Sequence, residues 1–161
     1  MAKIQFEGID QYVAALKKLS DNSRETVGKA IYAGADVVAD RIRQEINSLP
    51  TGPGKYVKNG EKTNTITAAQ KQGLQNGFGI STMRQEGTAY NVKVGFAGYN
   101  SQHTNSYPNG QPNSVIARSV CSGTSFRQKN DFVGRASRAA KAEAEKAMEK
   151  KLDETLKQIM G

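Results

Sequence analysis

The sequence predicts an α+β domain: a small antiparallel β-sheet built on a central hairpin, packed against a long N-terminal helix and a long C-terminal helix. Two observations predict the helices, apolar residues at three- and four-residue spacing in residues 23–49 and again in 131–159. A third predicts the sheet: between them, Tyr90, Val92, Val94 and Phe96 alternate with Asn91, Lys93 and Gly95. At 161 residues the chain is long enough to bury one core, so residues 1–161 read as a single domain.

The elements follow in order. Lys3–Phe6 reads as a short strand, and Gly8-Ile9-Asp10 as a turn with Asp10 capping a first helix that carries Val13, Leu16 and Leu19. Asn22 and Glu25 have the spacing of a capping box for the long second helix. Its stripe is Val27, Ile31, Gly34 or Ala35, Val38, Ile42 and Leu49, and Pro50 ends it. Gly34 is a place where another backbone can approach closely.

Residues 51–64 are rich in turn formers and charge and lack periodicity, which predicts a mobile loop. A short helical stretch around Ala68–Leu74 comes next. The hairpin's first arm is Phe78, Ile80 and Thr82, its turn Gln85-Glu86-Gly87, and its second arm Tyr90 to Phe96, with one face apolar. A second polar, mobile loop spans about 98–113. Asn113 or Ser114 is expected to cap a helix from Val115 to Ser122 that Gly123 closes. Asp131 caps the last helix, with a stripe of Val133, Ala136, Ala140, Ala144, Ala147, Leu152, Leu156 and Ile159. An alanine face of that kind suits close packing against another helix.

Charge narrows the function. The net charge is +8, and its location matters more than its size. Residues 1–50 carry seven basic and seven acidic groups, residues 51–134 nine and three, and residues 135–161 seven and five. The excess therefore lies on the central loops and hairpin, while the flanking helices are nearly balanced. Such a surface suits nucleic acid or an acidic protein partner, or simply keeps the chain in solution. No helix concentrates Lys and Arg as a groove-reading helix does, so sequence-specific DNA binding is not expected. Tyr56, Tyr99 and Tyr107 lie among basic residues, where aromatic rings can stack bases, whereas Tyr90 and Phe96 have a better use in the hairpin.

Catalytic constellations are missing. His103 is the one histidine and Cys121 the one cysteine, so a nucleophile–base pair would have to use a histidine set in the plain polar run Ser-Gln-His-Thr-Asn. Thr51-Gly-Pro-Gly-Lys55 superficially resembles a phosphate loop, yet Tyr56 stands where Ser or Thr is required and a helix precedes it. Gly77-Phe78-Gly79 has no third glycine for a dinucleotide fingerprint. We therefore expect no enzyme, no cofactor and no metal. The longest apolar clusters fall far short of the roughly 20 residues that span a bilayer, and Met1 to Asp10 has no signal-peptide core. The expectation is a soluble protein made and used in the cytoplasm, with no membrane partner.

Several strings, in order, resemble a family of tailed-bacteriophage morphogenesis proteins: head–tail joining, tail-completion and minor tail proteins. Gly8-Ile9-Asp10 matches the family's opening turn, Ala33-Gly-Ala-Asp-Val-Val-Ala-Asp40 its long helix, and Pro50-Thr51-Gly52 the element after it. Asn76-Gly-Phe-Gly-Ile-Ser-Thr-Met83 and Asn91-Val-Lys-Val-Gly95 are similar to its central hairpin. Ile116-Ala-Arg-Ser-Val-Cys-Ser-Gly-Thr-Ser-Phe-Arg127 and Asp131-Phe-Val-Gly-Arg-Ala136 resemble its closing segment, with Cys121 where an acid is common and Asp131 where proline is. The resemblance implies a structural subunit of a head–tail junction or tail-completion ring, a homo-oligomer expected to be a hexamer around the DNA channel of the virion neck or tail. Its partners would be itself, adjacent connector, tail-terminator or tail-tube proteins, and phage DNA in transient non-specific contact. Lys55, Lys58, Lys62, Arg118, Arg127 and Lys129 are the candidate channel or partner contacts. The alternative is a non-specific nucleic-acid-binding protein.

Overall fold

The computed structural model describes residues 9–55 and 60–161. The expected strand at Lys3–Phe6 and the candidates Tyr56 and Lys58 lie outside the described residues. The fold is α+β, as the periodicities predict. In chain order the elements are α1 (Ile9–Asp21), α2 (Ser23–Asn47), α3 (Ala68–Gly77), β1 (Phe78–Ile80), β2 (Arg84–Glu86), β3 (Ala89–Asn91), β4 (Val94–Phe96), α4 (Asn113–Ser122) and α5 (Phe132–Met160).

The two long helices pack along one another and form the spine of the fold. Small residues make this approach close: Gly34, Ala35 and Ala39 of α2 and Ala136, Ala140 and Ala144 of α5 are all buried. At Gly34 a Cβ would stand 2.5 Å from Met148 Cγ and 3.4 Å from the Ala144 carbonyl oxygen, so glycine is what lets α5 lie there. The stripe of α5 is Phe132, Ala136, Ala140 and Ala144, beginning one residue earlier than the sequence stripe does. Phe132 is fully buried, while Leu152, expected in the stripe, is exposed.

Two expected caps are corrected. Asn22 precedes α2 but makes no side-chain cap; its amide donates instead to the Lys18 carbonyl at 2.8 Å and closes α1. Glu25, left free of a capping box, pairs with Lys29 at 2.7 Å. Asp10 lies inside the first turn of α1, because that helix begins at Ile9. The Asp131 cap is present, its carboxylate accepting from the Gly134 N–H at 3.2 Å.

The hairpin forms in two pieces. Phe78 pairs with Phe96 and Ile80 with Val94 in one ladder, while Arg84 pairs with Asn91 and Glu86 with Ala89 in the other. Ser81, Thr82 and Met83 thus oppose only Val92 and Lys93, a bulge that shifts the register by one. The apolar alternation therefore does not continue as one face, and β2 is exposed along its length. The turn is Gly87-Thr88, one residue beyond its expected centre, with Gly87 at φ 63°.

The core lies where α2, α4 and the start of α5 meet β1 and β4. Ile42, Ile46, Leu49, Ile66, Leu74, Phe78, Ile116, Val120 and Phe132 are its larger members. Phe96 joins them through Phe78 and Phe132, with ring centroids 5.1 and 6.2 Å apart. Among the described residues, no helix is long and apolar enough to cross a membrane.

Candidate functional site

The polar segments that the sequence leaves without periodicity meet at one end of this core. Just after α2, the Gly52 N–H donates to the Ile66 carbonyl at 2.9 Å and the Ile66 N–H to the Pro50 carbonyl at 3.1 Å. Ahead of α5, the Thr63 N–H donates to the Phe126 carbonyl at 3.0 Å and the Gln128 N–H to the Thr63 carbonyl at 2.8 Å. Residues 63–66 are thereby held between the chain leaving α2 and the chain entering α5. Backbone groups that no helix or sheet uses find partners here, as buried amides must.

Thr67 and Gln70 then start α3 with a capping box: the Gln70 N–H donates to Thr67 Oγ1 at 3.2 Å, and the Thr67 N–H to Gln70 Oε1 at 3.0 Å. Gln70 Nε2 donates to Gln111 Oε1 at 3.0 Å, which also accepts from Asn100 Nδ2 at 3.2 Å. Asn100 is buried, and its Oδ1 accepts from the Gln102 and Gln111 N–H groups. Asn113, expected as a cap, instead opens α4 and turns its amide into the loop, donating to the Ala97 carbonyl at 2.8 Å. Amide side chains thus tie residues 97–113 to α3 and α4.

Arg127 sits at the junction. Its Nη1 donates to Ser119 Oγ at 2.6 Å, and Nη2 makes longer contacts to the Gly54 carbonyl at 3.3 Å and Gln70 Oε1 at 3.4 Å. Its Cζ lies 5.4 Å from the centroid of the Phe126 ring. The side chain is only 3% exposed. Burial pushes its pKa below the ordinary arginine value, although a guanidinium stays charged at neutral pH. Beside it opens a cavity of about 710 Å³, walled among the described residues by Pro53 to Lys55, the loop around His103, and α4.

Against the expected contact set, the structure divides the residues. Lys55 is exposed on the cavity wall, and Lys62, Arg118 and Lys129 are exposed. The Thr63–Arg127 bridge brings the Lys62 and Lys129 segments side by side, with Gln128 Nε2 donating to the Lys62 carbonyl at 3.2 Å. Arg127 differs from the other four: it is an interior residue, its guanidinium held by neutral acceptors from three segments, and it lies apart from the exposed basic surface. Gln70 and Ser119 went unrecognised by sequence reasoning. The Thr67-x-x-Gln70 spacing carried a signal for the first; nothing in the sequence marked Ser119.

His103 and Cys121 are not combined. His103 Nδ1–H donates to the Pro108 carbonyl at 2.6 Å on the exposed loop, whereas Cys121 packs against the core. Among the described residues, no three His, Cys, Asp or Glu side chains are grouped to hold a metal. Comparison of the chain with protein-family models, curated proteins and solved structures found no match.

Proposed function

We propose that this chain is a structural subunit of a phage head–tail junction or tail-completion ring, assembling as a homo-oligomer, expected to be a hexamer, around the DNA channel of the virion neck or tail. One observation carries the reading: the strings at Pro50–Gly52, in the hairpin and in the closing segment, which resemble the morphogenesis family, fold into one continuous region. Pro50-Thr51-Gly52 is bonded to Ile66, Thr63 of that same leg is bonded to the Phe126–Gln128 stretch, and Phe96 of the hairpin packs its ring between those of Phe78 and of Phe132 in the closing segment. The exposed Lys55, Lys62, Arg118 and Lys129 supply a basic surface that tolerates phosphate without reading sequence. Connector, tail-terminator or tail-tube proteins are its proposed neighbours.

Size-exclusion chromatography with light scattering, followed by negative-stain imaging, tests assembly. The expected result is a closed ring, alone or beside a connector or tail-tube partner. A strict monomer at high concentration, with no ring beside either partner, overturns the reading. A salt titration with duplex DNA separates the alternative: binding that persists at physiological salt favours a nucleic-acid-binding protein, and binding lost on modest salt addition fits a conduit.

A further inference from the structure

Strand β2 has an unpartnered edge. The hairpin it forms with β3 is a sheet of two strands, and β3 touches α2 whereas β2 is exposed along its length. The turn is Gly87-Thr88, so Glu86 and Ala89 are the closing hydrogen-bonded pair. By the alternation of an antiparallel ladder, Gln85 then directs its N–H and carbonyl away from β3, and no hydrogen bond among the described residues engages them there. Such an edge is a template for another strand, and proteins ordinarily blunt it with lysines, which repel a second copy. This edge carries one charge of each sign instead. Arg84 and Glu86 lie two residues apart on one face of β2, and neither enters an ion pair among the described residues.

We infer that β2 is a self-pairing edge, to which a second copy of this chain adds its own β2, antiparallel about a two-fold axis at Gln85. In that register Arg84 stands across from the partner's Glu86, and Glu86 from the partner's Arg84, giving two opposite-charge pairs on one face. Centring the pairing on Arg84 or on Glu86 sets like charges across from each other, and so does an in-register parallel alignment. The two Gln85 residues exchange their free backbone bonds at the axis. The product is a four-stranded sheet across two copies, where a lone two-stranded hairpin is marginal. Tyr32 already holds the Met83 N–H, so the pairing stops at that point. There the partner's Gly87 comes opposite Met83, beside a cavity of about 810 Å³ that Met83 lines with Gly28, Tyr32 and Ala33. The partner's turn therefore meets open space at this end of the strand. The inference does not rest on ring assembly, because an isologous contact closes on two copies by itself.

The test places one reporter at the axis. In the full-length protein carrying Cys121→Ala, Gln85→Cys sets a single thiol beside its symmetry mate, and a short bis-maleimide is expected to link two copies. Arg84→Glu and Glu86→Arg, each added to that background at an exposed position, make both cross-strand pairs repulsive. Each is expected to lower the linked fraction about tenfold, as two attractions become two repulsions. An equimolar mixture of the two variants has opposite charges in every mixed pair, so linkage between unlike chains, distinguished by mass, should return. The double variant R84E/E86R should link as the parent does. No linked pair in the parent, linkage unchanged by either reversal, or a mixture that links no better than its components each overturns the assignment. A ring that forms without this linkage overturns it too, while leaving the proposed function standing.

Discussion

The Tyr32 hydroxyl closes the gap that the bulged hairpin leaves at Met83: its oxygen accepts from the Met83 N–H at 2.8 Å and donates to the Ser81 carbonyl at 3.2 Å. One side chain of α2 thus satisfies both backbone groups freed where the two ladders fall out of register. Tyr32→Phe keeps the ring and removes the bridge, leaving a donor and an acceptor without partners. The expected cost is about 1–2 kcal/mol, read as a lower urea midpoint, with the Met83 amide exchanging faster than amides of α2.

Gly77, the last residue of α3, and Gly79, in the middle of β1, should behave oppositely. A Cβ on Gly77 would collide with the Ala97 carbonyl oxygen and the Asn113 amide, whereas one on Gly79 meets nothing within 4 Å. Gly77→Ala is expected to destabilise by about 2–3 kcal/mol, because the atom in its way is backbone held by α4. Gly79→Ala should stay within about 0.5 kcal/mol. Parallel urea denaturation of the two variants checks the contrast.

Phe132 is fully buried and joins α5 to the hairpin through Phe96. Phe132→Ala removes that contact and opens a cavity at the meeting of α2, β4 and α5. A loss of about 3–5 kcal/mol is expected. Phe132→Leu, which keeps most of the volume, should lose clearly less, and thermal unfolding distinguishes the two.

Burial raises the pKa of the Cys121 thiol above its ordinary value, opposed in part by the Val133 and Phe132 backbone N–H groups. The folded thiol keeps its proton after the unfolded thiol has lost it. The resulting contribution to stability is fully present below about pH 8.5 and falls as pH rises above it, toward the folded pKa. Relative to Cys121→Ala, the wild type should therefore lose stability between pH 7.5 and 10, and its thiol should react with maleimide far more slowly folded than unfolded. A stability difference that grows in favour of the wild type with pH would contradict the sign.

The sequence by itself determined the helices and the fold class. Three- and four-residue spacing across 23–49 and 131–159, with Asp131 as a cap, is a local signal, and local hydrogen bonding is what builds a helix. It also located the hairpin and the two polar stretches. The tertiary structure alone decided the register and the site. The bulge at Ser81–Met83 depends on a hydroxyl at Tyr32, and the cluster at Arg127 on Gly54, Gln70 and Ser119, each distant along the chain. Charge counting placed Arg127 on the surface because composition reports how many charges a segment carries, while burial depends on which distant oxygens fold around one of them.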